Sequence, residues 1–244
     1  MCFGDDARPP APPVLGPVAE HGDLILESAD GTRFSAYRAH PESPSNRAIV
    51  ILPDVRGLHE FYRELALRWA EAGLHAVAID YFGRTAGLGP RDADFPFREH
   101  VSKVDYGAAA QDASAAVAWL RAQTGATAVF TVGFCFGGAI SWRQAAAGDD
   151  LAGAIGFYGG PSRALDVLDR IAAPLLFLAA GQDHTPVSEV EAFADQVRRR
   201  GVEATVQVYP DAPHSFFDRS FAEHREDCAD AWHRMLSFVD RYAV

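Results

Sequence analysis

Cysteine is scarce in this chain. Its 244 residues hold three, Cys2, Cys135 and Cys228. Being few, widely separated and odd in number, they suggest neither a disulfide framework nor a zinc site. A reducing cytoplasm is therefore the expected compartment. Basic tracts are missing as well: 22 basic residues face 33 acidic ones, for a net charge of -11. That balance argues against nucleic acid or an anionic membrane as the main partner. No apolar run is long enough to span a bilayer. The opening Met1-Cys2-Phe3-Gly4-Asp5-Asp6 lacks the positive segment and apolar stretch of a signal peptide. The Gly-x-Gly-x-x-Gly and Walker A spacings of phosphate-binding turns are both absent. No metal or cofactor is expected.

What is present is core-forming material, with 48% of residues hydrophobic and 23% charged. That suits one globular domain of α/β size. Five prolines before Val18 mark residues 1–20 as an extended, flexible tail ahead of a single domain at 21–244. Two alternating segments, 23–28 and 32–38, flank Asp30-Gly31 and read as a hairpin. Apolar strands then alternate with helices. Strands are expected at 48–53, 75–80, 128–132, 151–158, 174–180 and 204–209. Helices are expected at 61–72, opened by His59, and at 105–122, 139–147, 187–200 and 221–242. This alternation predicts a mostly parallel sheet covered on both faces, with chemistry at the carboxyl ends of its strands. The Gly-, Pro- and charge-rich stretch 82–104 is long for a loop inside a compact domain and reads as a lid over the site.

The most informative stretch is Thr131-Val132-Gly133-Phe134-Cys135-Phe136-Gly137-Gly138-Ala139. A buried strand runs into it and a helix follows. A cysteine thus stands at the centre of a strand–turn–helix elbow, where such elbows usually carry a serine. A turn this sharp forces the central residue into a strained conformation, and side chains two residues to either side would collide with the neighbouring strand and helix. The competing reading of Cys135 is a buried, inert thiol.

A thiol attacks as thiolate, so it needs a base, and the base needs an orienting acid. Downstream, Gly181-Gln182-Asp183 follows an apolar strand directly, and Asp211-Ala212-Pro213-His214-Ser215-Phe216 follows the last strand. Cys135, Asp183 and His214 therefore occupy three strand ends in the order nucleophile, acid, base. Taken singly, Asp183 could stabilise a turn, and His214 could be an ordinary loop histidine. His184 competes as base but directly follows the acid.

These motifs, together with Leu52-Pro53-Asp54-Val55-Arg56-Gly57 and Asp80-Tyr81-Phe82-Gly83-Arg84, resemble the dienelactone hydrolases, cysteine members of the α/β-hydrolase fold. The likeness runs from about Asp23 to the C-terminus. It implies Cys135 as nucleophile, His214 as general base and Asp183 as its orienter. It also implies backbone N–H groups of Val55 and Phe136 as the oxyanion hole. Asp54 stands where the family has a glutamate that modulates the resting thiol, and it is one methylene shorter. Of the two family arginines that hold an anionic substrate, Arg84 matches the first. The spacing of the second falls on Asp218, with Arg219 one residue later and Arg56 as a substitute. Tyr158, at a strand end, is a pocket-lining candidate.

The expected activity is hydrolysis of a small ester or lactone, with an anionic enol lactone as the family's type substrate and no cofactor. A carboxylesterase or thioesterase would use the same residues on other acyl groups. A protein of another class, in which Cys135 is a thiol sensor or binding element, would show a reactive thiol without turnover.

Overall fold

In the computed structural model, residues 7–92, 94–218 and 221–243 are described. The chain opens with the hairpin β1 (Val18–Glu27) and β2 (Arg33–Pro41), followed by β3 (Arg47–Leu52), α1 (Glu60–Glu71) and β4 (His75–Ile79). Two short helices come next, α2 (Gly83–Ala86) and α3 (Phe97–Val101), then α4 (Tyr106–Thr124). The second half holds β5 (Ala128–Phe134), α5 (Phe136–Gln144), β6 (Gly153–Phe157), β7 (Leu175–Gln182), α6 (Val187–Arg199), β8 (Ala204–Pro213) and α7 (Arg225–Tyr242). Short 3₁₀ turns at Pro161–Arg163 and Leu165–Arg170 link β6 to β7.

The eight strands form one sheet in the order β1-β2-β4-β3-β5-β6-β7-β8. β1 and β2 pair antiparallel, as do β2 and β4, and every other neighbouring pair is parallel. The fold is thus the mostly parallel, doubly covered sheet expected from the alternation. Its strands read as unbroken apolar runs because side chains alternate between two buried faces. On one face Val129 and Phe177 pack with Trp142 of α5 and Phe193 of α6; on the other, Phe130 and Val132 pack with Trp69 of α1 and Trp232 of α7. The Trp69 and Trp232 rings meet edge-on at 4.7 Å. Among the described residues, no helix is long and apolar enough to cross a membrane.

Helix boundaries follow local chemistry. The His59 ring accepts a hydrogen bond from the Phe61 N–H at 3.3 Å, and the Asp105 carboxylate accepts one from Ala108 N–H at 2.7 Å. Each satisfies an otherwise orphaned donor of a first turn. Gly125, at φ 70°, ends α4 in the left-handed region.

Two expectations change. Residues 7–17 have no regular structure, yet they are not loose: Pro9, Pro10 and Pro12 are buried. The Trp232 indole N–H donates to the Pro10 carbonyl at 3.0 Å, and Gly16 N–H donates to Glu71 O at 2.7 Å. The indole needs an acceptor when buried, and the proline-rich segment supplies one that has no backbone donor of its own. The first strand also begins at Val18, inside the span expected to be tail. Met1–Asp6 lie outside the described residues. The second change concerns the stretch 82–104, which is tied down rather than draped over the site. Arg91 is buried and ion-pairs with buried Asp80 at 2.8 Å, donates to Gly87 O at 2.6 Å and lies 4.6 Å from the Phe95 ring centre. Phe95 in turn packs on Phe82 and stacks on His100.

Candidate active site

Cys135 sits between β5 and α5 with φ 53° and ψ -112°, a conformation that L-residues rarely adopt. Its N–H donates to Phe157 O on β6 at 3.1 Å, and its carbonyl accepts from Gly138 N–H at 3.1 Å, so the turn is clamped to the sheet. The flanking glycines are required by close approach. A Cβ on Gly133 would lie 1.9 Å from Gly137 O, and one on Gly137 would lie 2.1 Å from Leu52 O. Those obstacles are backbone atoms, which cannot step aside.

The sulfur reaches a polar chain. The His214 side chain is hydrogen-bonded to Cys135, and its Nδ1 lies 2.9 and 3.0 Å from the two oxygens of Asp183. The Nδ1–H to carboxylate pairing leaves the other ring nitrogen for the sulfur. Burial works against a charge on His214, but its bonds to Asp183 and Cys135 outweigh burial and push its pKa up to about 10. Burial likewise opposes the Asp183 charge, yet the His214 bond and charge and the Thr185 N–H hold its carboxyl below the usual range. His214 is positioned by the turn after β8, where Phe216 N–H donates to Pro213 O and Ser215 takes φ 64°.

The three residues meet at the carboxyl edge, where a cleft of about 220 Å³ is bordered by Cys135, His214, Val55, Phe136 and Tyr158. It is smaller than the ~300–1,000 Å³ typical of drug-sized ligand pockets, which suits a small substrate. Larger surface hollows of about 560 and 490 Å³ lie elsewhere, one beside His40 and Trp119, the other beside His59 and Arg91. Neither is bordered by Cys135 or His214, so the smaller cleft is the one at the elbow.

Two backbone donors border that cleft. Phe136 opens α5, where first-turn N–H groups have no intrahelical acceptor. Val55 lies on the loop after β3, whose shape is held from several sides. Asp54 N–H donates to the Tyr62 hydroxyl at 2.9 Å, Tyr81 OH donates to Pro53 O at 2.6 Å, and Asp54 Oδ1 accepts from Arg56 N–H at 2.9 Å. Asp54 is fully buried, so one of its oxygens serves the turn that presents Val55.

Tyr158 directly follows β6 at φ 35°, with its ring centre 5.0 Å from that of His214. Its hydroxyl is buried with no hydrogen-bond partner among the described residues. Burial, then the nearby Asp218, Cys135 and Asp54 charges, raise its pKa well above the ordinary value.

The arginines fare differently from expectation. Arg84 is absent from the residues bordering the cleft. Its guanidinium donates to Asp112 at 2.8 and 3.1 Å, to Thr32 and Ser28 at 3.1 Å each, and to Asp30. A side chain so fully engaged is a fastener for the β1–β2 turn and α4, since a carboxylate buried as deeply as Asp112 must be paired. Arg56 is buried and also lies outside the cleft border. Arg219 lies outside the described residues. Among the described residues of 82–104 none borders the cleft, so the lid reading does not survive for them.

Sequence reasoning missed Arg163 and underrated His184; both border the cleft. Exposed His184 brings its Nδ1 to 2.6 Å from Asp183 Oδ1, so two imidazoles share one carboxylate. Asp183, His184 and His214 offer ligand atoms within 4.8 Å of one another, a spacing a metal ion could bridge. The Asp183 oxygens already serve both rings, which leaves the group better suited to proton transfer.

Comparison with known proteins agrees with this architecture. A profile of the dienelactone hydrolase family matches residues 34–243. A carboxymethylenebutenolidase of Pseudomonas putida is 32% identical over 79% of this chain and 84% of its own length. A solved structure from Klebsiella pneumoniae subsp. pneumoniae, provisionally named a dienelactone hydrolase, superposes with TM-score 0.77. It is 29% identical and covers 92% of this chain and 100% of its own. A dienelactone hydrolase-like promiscuous phosphotriesterase from metagenomic libraries superposes with TM-score 0.74. It is 26% identical over 92% of this chain and 99% of its own.

Proposed function

The chain belongs to the dienelactone hydrolase family, and we propose that it hydrolyses small esters or lactones through Cys135, His214 and Asp183 by way of an acyl-cysteine. The observation that carries this reading is the continuous hydrogen-bonded chain from Cys135 through His214 to Asp183, mounted on a strained elbow at the carboxyl edge.

In the proposed sequence His214 takes the thiol proton, and the sulfur adds to the carbonyl carbon. The negative charge passes to the carbonyl oxygen, which faces the N–H groups of Val55 and Phe136. Such donors each contribute a few kcal/mol to transition-state stabilisation, about 10²–10³ in rate. Collapse expels the alkoxide or enolate, which receives the proton from His214. For a lactone that leaving group stays covalently attached to the acyl chain. Water then loses a proton to His214 and attacks the thioester. The second oxyanion collapses and frees the carboxylic acid, and the thiolate recovers its proton. Asp183 keeps the imidazole ring aimed and stabilises its charged form throughout. Asp54, whose Oδ1 braces the Val55 loop, is assigned the thiol-modulating role of the family's glutamate.

The test is absorbance-monitored hydrolysis of cis- and trans-dienelactone and of p-nitrophenyl acetate by wild type and Cys135→Ala. Turnover of either substrate that vanishes in the variant is the expected result. Turnover that survives the loss of sulfur would refute the nucleophile. Rapid alkylation of Cys135 with no turnover of any ester would favour a thiol sensor instead.

A further inference from the structure

Away from the elbow, the hollow of about 560 Å³ is bordered by two histidines that no step above uses, His40 and His75. His40 lies near the end of β2, and His75 opens β4. The antiparallel register pairs Ala39 with Ala76, which sets His40 beside His75 at the next position. The Trp119 ring of α4 stacks on His40 with centroids 6.1 Å apart. The two Nδ1 atoms lie 2.9 Å from one another. Being 35 positions apart, these residues form no motif in the sequence.

Two neutral imidazoles share one proton across such a contact: one Nδ1–H donates and the other Nδ1 accepts. The same spacing suits a metal ion. Bonds of about 2.0–2.1 Å at a right angle hold two nitrogens about 2.9 Å apart. That is the cis spacing of square-planar or octahedral Cu(II) and Ni(II), whereas tetrahedral Zn(II) needs about 3.3 Å. On binding, the donating ring moves its Nδ1 proton to Nε2, and both lone pairs turn toward the ion. Strand pairing fixes the two backbones, so ring rotation suffices. The surroundings tolerate a cation. Glu20 pairs with His40 in the β1–β2 register, so a carboxylate stands in the same row. Arg38, which also borders the hollow, donates to that carboxylate, and its charge is answered.

We infer that His40 and His75 form a binding site for a divalent late transition metal of the copper–nickel type. β2 and β4 meet there as the antiparallel junction between the hairpin and the parallel strands. An ion held by both rings ties one part of the sheet to the other and stabilises the folded chain by mass action. The site lies at the amino end of β4, at the opposite edge of the sheet from Cys135, and is independent of the hydrolytic reading.

The test uses tag-free protein and nickel chloride, because Ni(II), unlike Cu(II), does not oxidise the Cys135 thiol. Calorimetry and tryptophan emission are followed together near neutral pH. The expected result is uptake of Ni(II) with quenching, since Trp119 stacks on His40 while Trp69, Trp142 and Trp232 are buried in the core. His40→Asn and His75→Asn each weaken this uptake at least about tenfold, as loss of a ligand costs no less than loss of a ligand's outer partner. Both also abolish the quenching and the nickel-dependent rise in thermal midpoint. Trp119→Phe keeps the uptake and loses the quenching. Asp183, His184 and His214 are the rival nickel group; His184→Asn removes it and leaves the quenching intact. X-ray absorption of nickel-loaded His184→Asn, in which His40 and His75 are untouched, should count two imidazoles even if the other variants fail to fold. Wild-type emission unmoved by millimolar nickel overturns the site. So does uptake that survives both His40→Asn and His75→Asn, uptake lost in His184→Asn, or fewer than two imidazoles on its nickel.

Discussion

The carboxyl edge around Cys135 and the Arg84 cluster at the β1–β2 turn are built on opposite terms. Around Arg84 every charge is answered: two aspartates and two hydroxyls surround one guanidinium. At the carboxyl edge, Cys135, Tyr158 and Ser215 all have positive φ. The buried hydroxyls of Tyr158 and Ser215 lack partners among the described residues. A folded protein keeps strain and unfinished hydrogen bonding only where the surroundings enforce them, and such places are where function is sought. The difference teaches that an arginine's neighbours, rather than its position after a strand, decide whether it holds the fold.

The comparison can be sharpened most forcefully at the elbow. Cys135→Gly is expected to lower turnover by at least about 10³ while the thermal midpoint holds or rises, since glycine adopts φ 53° without steric cost. A loss of stability comparable to a core truncation would show that the elbow stores no strain. On the other side, Arg84→Ala strands Asp112, whose side chain is 1% exposed, and should cost about 3 kcal/mol in urea unfolding. Turnover of p-nitrophenyl acetate is the control there; a fall as deep as in Cys135→Gly would collapse the contrast between the two regions.

The third effect is a dependence on pH. Because His214 is raised from 6.5 to about 10 in the folded state, its contribution is complete below about pH 6.5 and fades as pH climbs through about 10. The Asp183 carboxyl is depressed, so its contribution is lost only as pH falls through that lowered value. Thermal midpoints should therefore decline on the alkaline side, and Asp183→Asn should flatten that decline; an unchanged alkaline slope would sever the link to this pair. The smallest effect belongs to Tyr158→Phe, which deletes a buried hydroxyl with no partner among the described residues. Unfolding measurements should find it neutral or stabilising by up to about 1 kcal/mol.

Much of this architecture was legible in the sequence because the constraints were local. Gly133 and Gly137 mark a turn whose backbone crowding excludes any side chain, so the elbow announces itself within six residues. Asp183 and His214 were legible from chain order and from the apolar strands that precede them. The mostly parallel sheet followed from the alternation of strand and helix, whereas the place of β4 between β2 and β3 did not. What escaped depended on pairings remote in sequence. Arg84 is consumed by Asp112, 28 residues on, and by Asp30, 54 residues back. Arg163, in a Gly-Gly-Pro-Ser-Arg turn, looks like any surface cation until Phe136 and Tyr106 are placed beside it. The stretch 82–104 has the composition of a mobile loop, but the Arg91–Asp80 pair beneath it cannot be read from composition.

The bond from Trp232 to the Pro10 carbonyl spans 222 positions, and it imposes an order in time. Pro10 leaves the ribosome early, but its partner is synthesised only near the end. At roughly 5–20 residues per second that gap is on the order of 10–40 s. Throughout it the segment can use its anchor on α1, Gly16 N–H on Glu71 O, but the Pro10 carbonyl waits for its indole partner. The contact between the first described part of the chain and α7 is thus a late step of maturation.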